Sequence, residues 1–190
     1  MKKSKVETAE TRRRIVETAG REFRRKGVHA TGLADVMAAA GLTHGGFYRH
    51  FQSKDQLVAE ACAVGMESIV AKAEAAASQS DGRSGLEAII ASYLAINHRD
   101  DRSGGCPLAS LGSELARADD ETRAEASAGF LKLVELLAKH ARRRKPELAK
   151  SDALFALSAM VGAVTLSRIV SDPDLSTAIL SDTRRHLSVA

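Results

Sequence analysis

Apolar residues recur along this chain at intervals of three and four, the spacing of one helical face, and nothing alternates with period two over a strand's length. Ile15, Ala19 and Phe23 predict a first helix starting near Thr8 or Thr11 and ending at Gly27, with Arg12, Arg13, Arg14, Arg21, Arg24, Arg25 and Lys26 on its other face. Leu33, Val36 and Met37 predict a short helix to Ala40, ended by Gly41 in the left-handed conformation that a Cβ makes costly. Thr43 is placed to cap a second short helix, His44 to Phe51, and Ser53 to cap a long one running toward Ser78. After the loop 79–85, residues 86–98 carry the stripe Leu86, Ile89, Ile90, Tyr93, Leu94 and Asn97. Pro107 suits the first turn of a helix bearing Leu108, Leu111 and Leu115. The next helix runs from about Glu121 to Arg144 over Phe130, Leu133, Val134 and Leu137, closing on cations that oppose the helix dipole. Residues 151–170, led by Ser151, are apolar almost all round, as in a central helix or one shared with a second chain. Ala156, Ala159, Gly162 and Ala163 would let another helix come close, and beyond Pro173 a last amphipathic helix carries Leu175, Ile179, Leu180 and Leu187.

The fold class expected is therefore all-α, with about nine helices in 190 residues, a length able to bury a substantial core. A chain 44% hydrophobic but only 4% aromatic, with three Pro, agrees. Charge adds an asymmetry. Residues 1–53 hold eleven Lys/Arg against five Asp/Glu, whereas 54–190 hold seventeen against nineteen, so the positive field lies with the first segment. No run approaches the eighteen or so apolar residues of a membrane span, and the basic N-terminus lacks a signal-peptide core. Two cysteines, Cys62 and Cys106, make neither a disulfide framework nor a zinc spacing, and the six His are scattered, so no metal and no cofactor is expected in a cytoplasmic, reduced protein.

Residues 31–57 carry the chemistry. Gly45 and Gly46 each cost about 1 kcal/mol relative to Ala inside a helix, so another demand favours them. Two residues without side chains let a backbone approach a flat partner, and Tyr48, Arg49, His50 and Lys54 surround them with phosphate-directed donors. In a helix-turn-helix, the start of the second helix meets base edges in the major groove while its flanks bond phosphates. A plain helical corner with a polar rim is the bland alternative.

Thr31, Asp35, the AAAG ending at Gly41, Thr43, Gly45, Phe47-Tyr48, His50-Phe51, Ser53-Lys54-Asp55 and Leu57 together resemble the DNA-binding domain of TetR-family transcriptional regulators, over roughly residues 8–60. Gly32, where the family has a capping Ser or Thr, and Met37, where it has a small Ala, depart from the pattern. The resemblance implies a three-helix head, residues 1–53, joined by a long helix to a ligand-binding and dimerisation body, residues 54–190. The partners implied are double-stranded DNA, a small-molecule effector and a second copy joined through the last two long helices. The DNA-contacting set is Thr31, Thr43, His44, Gly45, Gly46, Tyr48, Arg49, His50 and Lys54, with His44, Gly45, Gly46 and Arg49 near bases and Thr31, Tyr48, His50 and Lys54 at phosphates.

An aliphatic body favours an apolar or aromatic effector, with Met66, Tyr93, Asn97, Cys106, Phe130, Phe155 and Met160 as candidate lining residues. Two other functions stay open. Cys106 follows a Gly pair at a predicted helix N-terminus, where a thiolate is stabilised, so the chain could sense oxidants or electrophiles. An all-helical enzyme or carrier is the third reading, although no Ser/His/Asp, paired-carboxylate or phosphate-loop spacing supports it.

Overall fold

The computed structural model describes residues 5–80, 84–141 and 146–189. Residues 1–4 of the basic arm, part of the predicted loop 79–85 and the cations 142–145 expected to close a helix lie outside the described residues. Nine α-helices and one 3₁₀-helix follow in order, with no strand among the described residues.

Helix α1, Lys5–Lys26, buries Ile15, Ala19 and Phe23 as its periodicity predicts and ends on Gly27 at φ +91°. It starts earlier than expected. Helix α2, Leu33–Ala39, has Gly32 at its N-cap, where the missing side-chain acceptor is partly replaced by Asp35, which accepts from the Gly32 N–H at 3.3 Å. Gly41 follows at φ +70°, as read from the sequence.

The second motif helix is not an α-helix. His44–Arg49 forms a 3₁₀-helix, its turns closed by Gly46 N–H to Thr43 O at 3.0 Å and His50 N–H to Phe47 O at 2.9 Å. Six residues containing two glycines gain too little from the wider α turn, and the Thr43 side chain makes no capping bond. Ser53 does cap α3, Lys54–Ser78, accepting from Gln56 N–H at 3.0 Å.

The stripe at 86–98 is broken in two. Helix α4, Gly85–Tyr93, and the short α5, Ile96–Asp100, are separated because the Tyr93 carbonyl accepts the His98 ring N–H at 2.6 Å instead of continuing the backbone ladder. Helices α6, Pro107–Leu115, and α7, Asp120–His140, follow, with Asp119 capping α7 through Thr122 N–H at 3.0 Å. Helix α8, Pro146–Ile169, begins five residues before Ser151, which lies exposed inside it rather than at its cap. Helix α9 is Pro173–Val189.

Helix α3 is the spine. It packs on α1 toward the head and on α7 and α4 in the body, and one buried cluster runs from Ile15 through Leu57 and Met66 to Leu137 and Val164. Twenty-five residues span nearly 40 Å, so this helix carries any tilt of one end to the other. Contrary to the sequence reading, α8 is long and apolar enough to cross a membrane by length and composition. Its inner face, Ala153, Leu157, Met160 and Val164, is instead packed on α6, α7 and α9.

Candidate DNA-binding head and effector body

Phe47 holds the motif in place. It is fully buried, stacks on Phe51 with centroids 5.4 Å apart, and presents an edge to Tyr48 at 5.2 Å. Burying every third or fourth residue of a six-residue helix turns the others outward. Thr43, His44, Gly45, Tyr48 and Arg49 are exposed, Tyr48 by 67%, and Gly46 and His50 are half-buried. A Cβ on Gly45 would meet nothing within 4 Å, and one on Gly46 would make ordinary contacts with Met37 Cε at 3.6 Å and Thr43 Oγ1 at 4.0 Å. No internal contact therefore requires these glycines.

Two of the predicted contacts are turned inward. Thr31 is fully buried, its hydroxyl donating to Gly27 O at 2.7 Å, so it presents no side chain to a phosphate in this structure. Lys54 Nζ donates to Val28 O at 2.6 Å and Thr31 O at 2.7 Å, which ties the turn after α1 to the start of α3 and leaves one of its three N–H groups free.

The cations of α1 divide likewise. Arg12 pairs with Glu60, donates to His50 O at 3.2 Å and lies 4.4 Å from the Phe51 ring centroid, so it braces the motif against α3. Arg25 and Lys26 flank Glu22 and hold its carboxyl below the usual range, Arg25 contributing more. Arg24, expected on the polar face, passes between α1 and α3. A Cβ on Gly20 would lie 3.1 Å from its Nη1 and one on Gly65 2.7 Å. Each mid-helix glycine costs about 1 kcal/mol against alanine, and what they admit is a guanidinium that reaches Ser103 O at 2.6 Å. Gly20 and Gly65 were the sequence signal for it. Glu114 of α6 adds a second bridge from body to head, accepting from His29 N–H at 3.1 Å.

The seven residues proposed for an effector pocket do not come together. Tyr93 and Asn97 line a cleft of about 310 Å³ between α3, α4 and α5, with Ile69, Lys72, Ile89 and His98. Met66, Met160 and Cys106 are sealed in the core, and Phe130 is half-buried against it. Phe155 is 69% exposed on α8.

Cys106 also departs from its expected setting. It sits at the N-cap of α6, but it is fully buried. Burial raises its pKa, outweighing the Tyr93 hydroxyl and the N–H groups of Ala109 and Leu108, which favour the thiolate. Cys62, buried too, is pushed up to about 11. In the folded protein both thiols should resist iodoacetamide and react only on unfolding. A Cys106 adduct forming at a free thiol's rate, read by mass spectrometry, would show otherwise.

His98 bridges the same region, its Nδ1–H on Tyr93 O and its Nε2 accepting from Cys106 N–H at 3.0 Å. Burial lowers its pKa below the ordinary 6.5, Arg168 and Lys72 adding to that and the Tyr93 carbonyl and Asp101 opposing it. The unfolded chain then binds the proton more tightly, so this contribution is full above about pH 6.5 and is lost as pH falls from there toward the folded-state value. Melting temperatures followed from about pH 8 to pH 5 should drop more for wild type than for His98→Gln. Parallel curves would remove His98 as the cause.

A family model for bacterial regulatory proteins of the tetR family matches residues 15–61, and a model for the C-terminal domain of LmrA/YxaF-like transcriptional regulators matches residues 83–178. The uncharacterized HTH-type transcriptional regulator Rv0196 of Mycobacterium tuberculosis is 31% identical over 169 residues, covering 85% of this chain and 86% of that protein. The chain belongs to the TetR family. It is a DNA-binding transcriptional regulator, not an enzyme. The crystal structure of a TetR transcriptional regulator from Chloroflexus aurantiacus J-10-FL superposes with a TM-score of 0.79 at 26% identity, over 96% of this chain and 94% of that one. In the head alone, the probable acrEF/envCD operon repressor of Escherichia coli strain K12 is 42% identical over 59 residues, 31% of this chain and 27% of that protein. The two matches place a TetR-type DNA-binding segment before a C-terminal regulator segment. The electrophile-sensing alternative is not favoured: burial takes the thiol away from the reactive state that reading required.

Proposed function

We propose that this regulator is a homodimeric repressor, working in the cytoplasm, that binds a near-palindromic operator and is released by a small effector with an apolar or aromatic body. The observation that carries the proposal is the outward rim of the 3₁₀-helix, where His44, Gly45, Tyr48 and Arg49 stand exposed on a buried Phe47. His44, Gly45, Gly46 and Arg49 address base edges, and Thr43, Tyr48 and His50 the flanking phosphates. Lys54 keeps one donor for the backbone. Thr31 acts from behind the surface, by fixing the turn that precedes α2. The likeness of the head to a probable operon repressor supports repression.

The division into head, residues 1–53, and body, residues 54–190, belongs to the same proposal, with α3 as the connecting lever. The second copy is assigned to α8 and α9. Leu148, Phe155, Leu166 and Ile169 recur on one side of α8, 51–70% exposed, and Leu175 of α9 is exposed too. On that side a Cβ at Gly162 would meet nothing within 4 Å, which leaves room for a facing helix. Phe155, which also borders a cleft of about 370 Å³ with Leu86, Ile90 and Leu137, then belongs to the dimer seam. Two-fold symmetry of the pair dictates the symmetry of the operator.

Selection from a random duplex pool tests this reading. Wild type should enrich a palindromic sequence whose binding weakens with salt as released counterions are replaced. Tyr48→Ala, losing about 1 kcal/mol per head, should bind it about thirtyfold more weakly through two heads. If no sequence is enriched, or the variant enriches the same one equally, the rim does not read DNA.

A further inference from the structure

The segment from His98 in α5 to Cys106 is held by cations from three helices, and each of them bonds a backbone carbonyl there. Arg24 of α1 reaches Ser103 O at 2.6 Å, Lys72 of α3 reaches Gly104 O at 3.0 Å, and Arg168 of α8 reaches Arg99 O at 2.8 Å and His98 O at 3.0 Å. Internal bonds keep the loop tightly folded. Asp101 accepts from Gly104 N–H at 2.7 Å, and a Cβ at Gly105 would lie 2.7 Å from Asp101 O and 2.9 Å from Arg168 Nη2. The same loop supplies His98 and Asp101 to the cleft between α3, α4 and α5. One segment therefore borders the cleft and grips the head.

The charges in that cleft are not balanced alike. Asp101 is engaged by the Gly104 amide and is the anion acting most strongly on Arg24. Lys72, exposed at the rim, bonds a neutral carbonyl and, among the described residues, no carboxylate. The ammonium's bond to that carbonyl is already charge-assisted, but a carboxylate adds a full opposite charge, so an entering carboxylate competes with the Gly104 carbonyl for this ammonium. Beyond Lys72 the wall is Ile69, Ala73 and Ile89, which suits an aliphatic tail, and about 310 Å³ lies at the small end of ligand pockets.

We propose that this cleft takes a small carboxylate with an aliphatic tail, whose head draws Lys72 from the Gly104 carbonyl and so loosens the loop on which Arg24 holds α1. The proposal rests on the effector-responsive reading above and names the effector's class and its route to the head. Hexanoate, hexanol, hexylamine and inorganic phosphate serve as probes, with binding read by calorimetry and operator affinity by fluorescence anisotropy. Hexanoate should bind once per chain and weaken operator binding, while the other three bind at least about tenfold more weakly. Lys72→Met should lose at least about tenfold in hexanoate affinity and Lys72→Arg only a few-fold, both remaining folded because the side chain is exposed. Arg24→Gln should still bind hexanoate but transmit little of it to the operator. Hexanol or phosphate binding as well as hexanoate, Lys72→Met binding it unchanged, no binding at all, or binding that leaves operator affinity untouched would each overturn the proposal. Wild type that binds no operator without ligand overturns the regulator reading instead, whatever hexanoate does.

Discussion

Phe47→Ala is expected to cost about 3–5 kcal/mol of stability and to abolish operator binding, because it removes the one buried side chain of the 3₁₀-helix. A six-residue helix with two glycines has almost no stability of its own. Its position is set by the Phe47 ring, packed on Phe51 with 22° between ring planes and met edge-on by Tyr48 at 84°. Alanine leaves a cavity beside Phe51, itself buried, that a short 3₁₀ segment closes only by collapsing inward, which withdraws His44 and Arg49 from the surface. Since small domains hold only about 5–15 kcal/mol in total, the loss is a large share. Urea denaturation should show it. Tyr48→Ala, at an exposed position, should leave stability within about 0.5 kcal/mol of wild type while still losing DNA, which separates scaffold from reading surface. A Phe47→Ala loss under about 1 kcal/mol would mean that another residue anchors the motif.

Gly129→Val should be destabilised by about 3 kcal/mol through a single clash. A Cβ at Gly129 of α7 would lie 2.5 Å from Met66 Cβ and 2.6 Å from its Cγ, and Met66 on α3 is 1% exposed. Helices α3 and α7 form the most extensive pair in the fold, so they cannot part locally without opening the body. The slightly better helix propensity of Val recovers only a few tenths of a kcal/mol. A double-mutant cycle identifies the cause. Met66→Ala alone should cost about 2–5 kcal/mol and somewhat less in the Gly129→Val background, where the valine methyls take up part of the space left by Cγ and Cε while the contact with the Cβ at residue 66 remains. Effects that add within about 0.5 kcal/mol would show that the two residues do not share that space.

Which features were legible follows from where their causes lie. Gly41 at positive φ, the Ser53 cap and both ends of α3 follow from interactions within four residues, and each was readable from the chain. The break between α4 and α5 was not, because His98 competes for a carbonyl that the periodic stripe assigned to the helix ladder. Spacing placed the head's candidate residues on one short motif, but it does not say which of them spend their donors internally. Thr31 answers to Gly27, and Lys54 to Val28 and Thr31. Arg24 was misplaced for a related reason. Its position on α1 is compatible with a solvated face, and only the glycines of two helices 45 residues apart, meeting around it, turn it inward.

By itself the sequence determined the helical fold, the helix-turn-helix motif and the family, since each depends on periodicity, caps and a local pattern that survive without knowledge of neighbours. Tertiary packing decided the rest: that Cys106 is sealed in the core, that Phe155 faces outward, and that one segment joins the cleft to the head. Burial, and the desolvation and pairing that come with it, belongs to a residue's surroundings, and those are brought together only when distant helices pack.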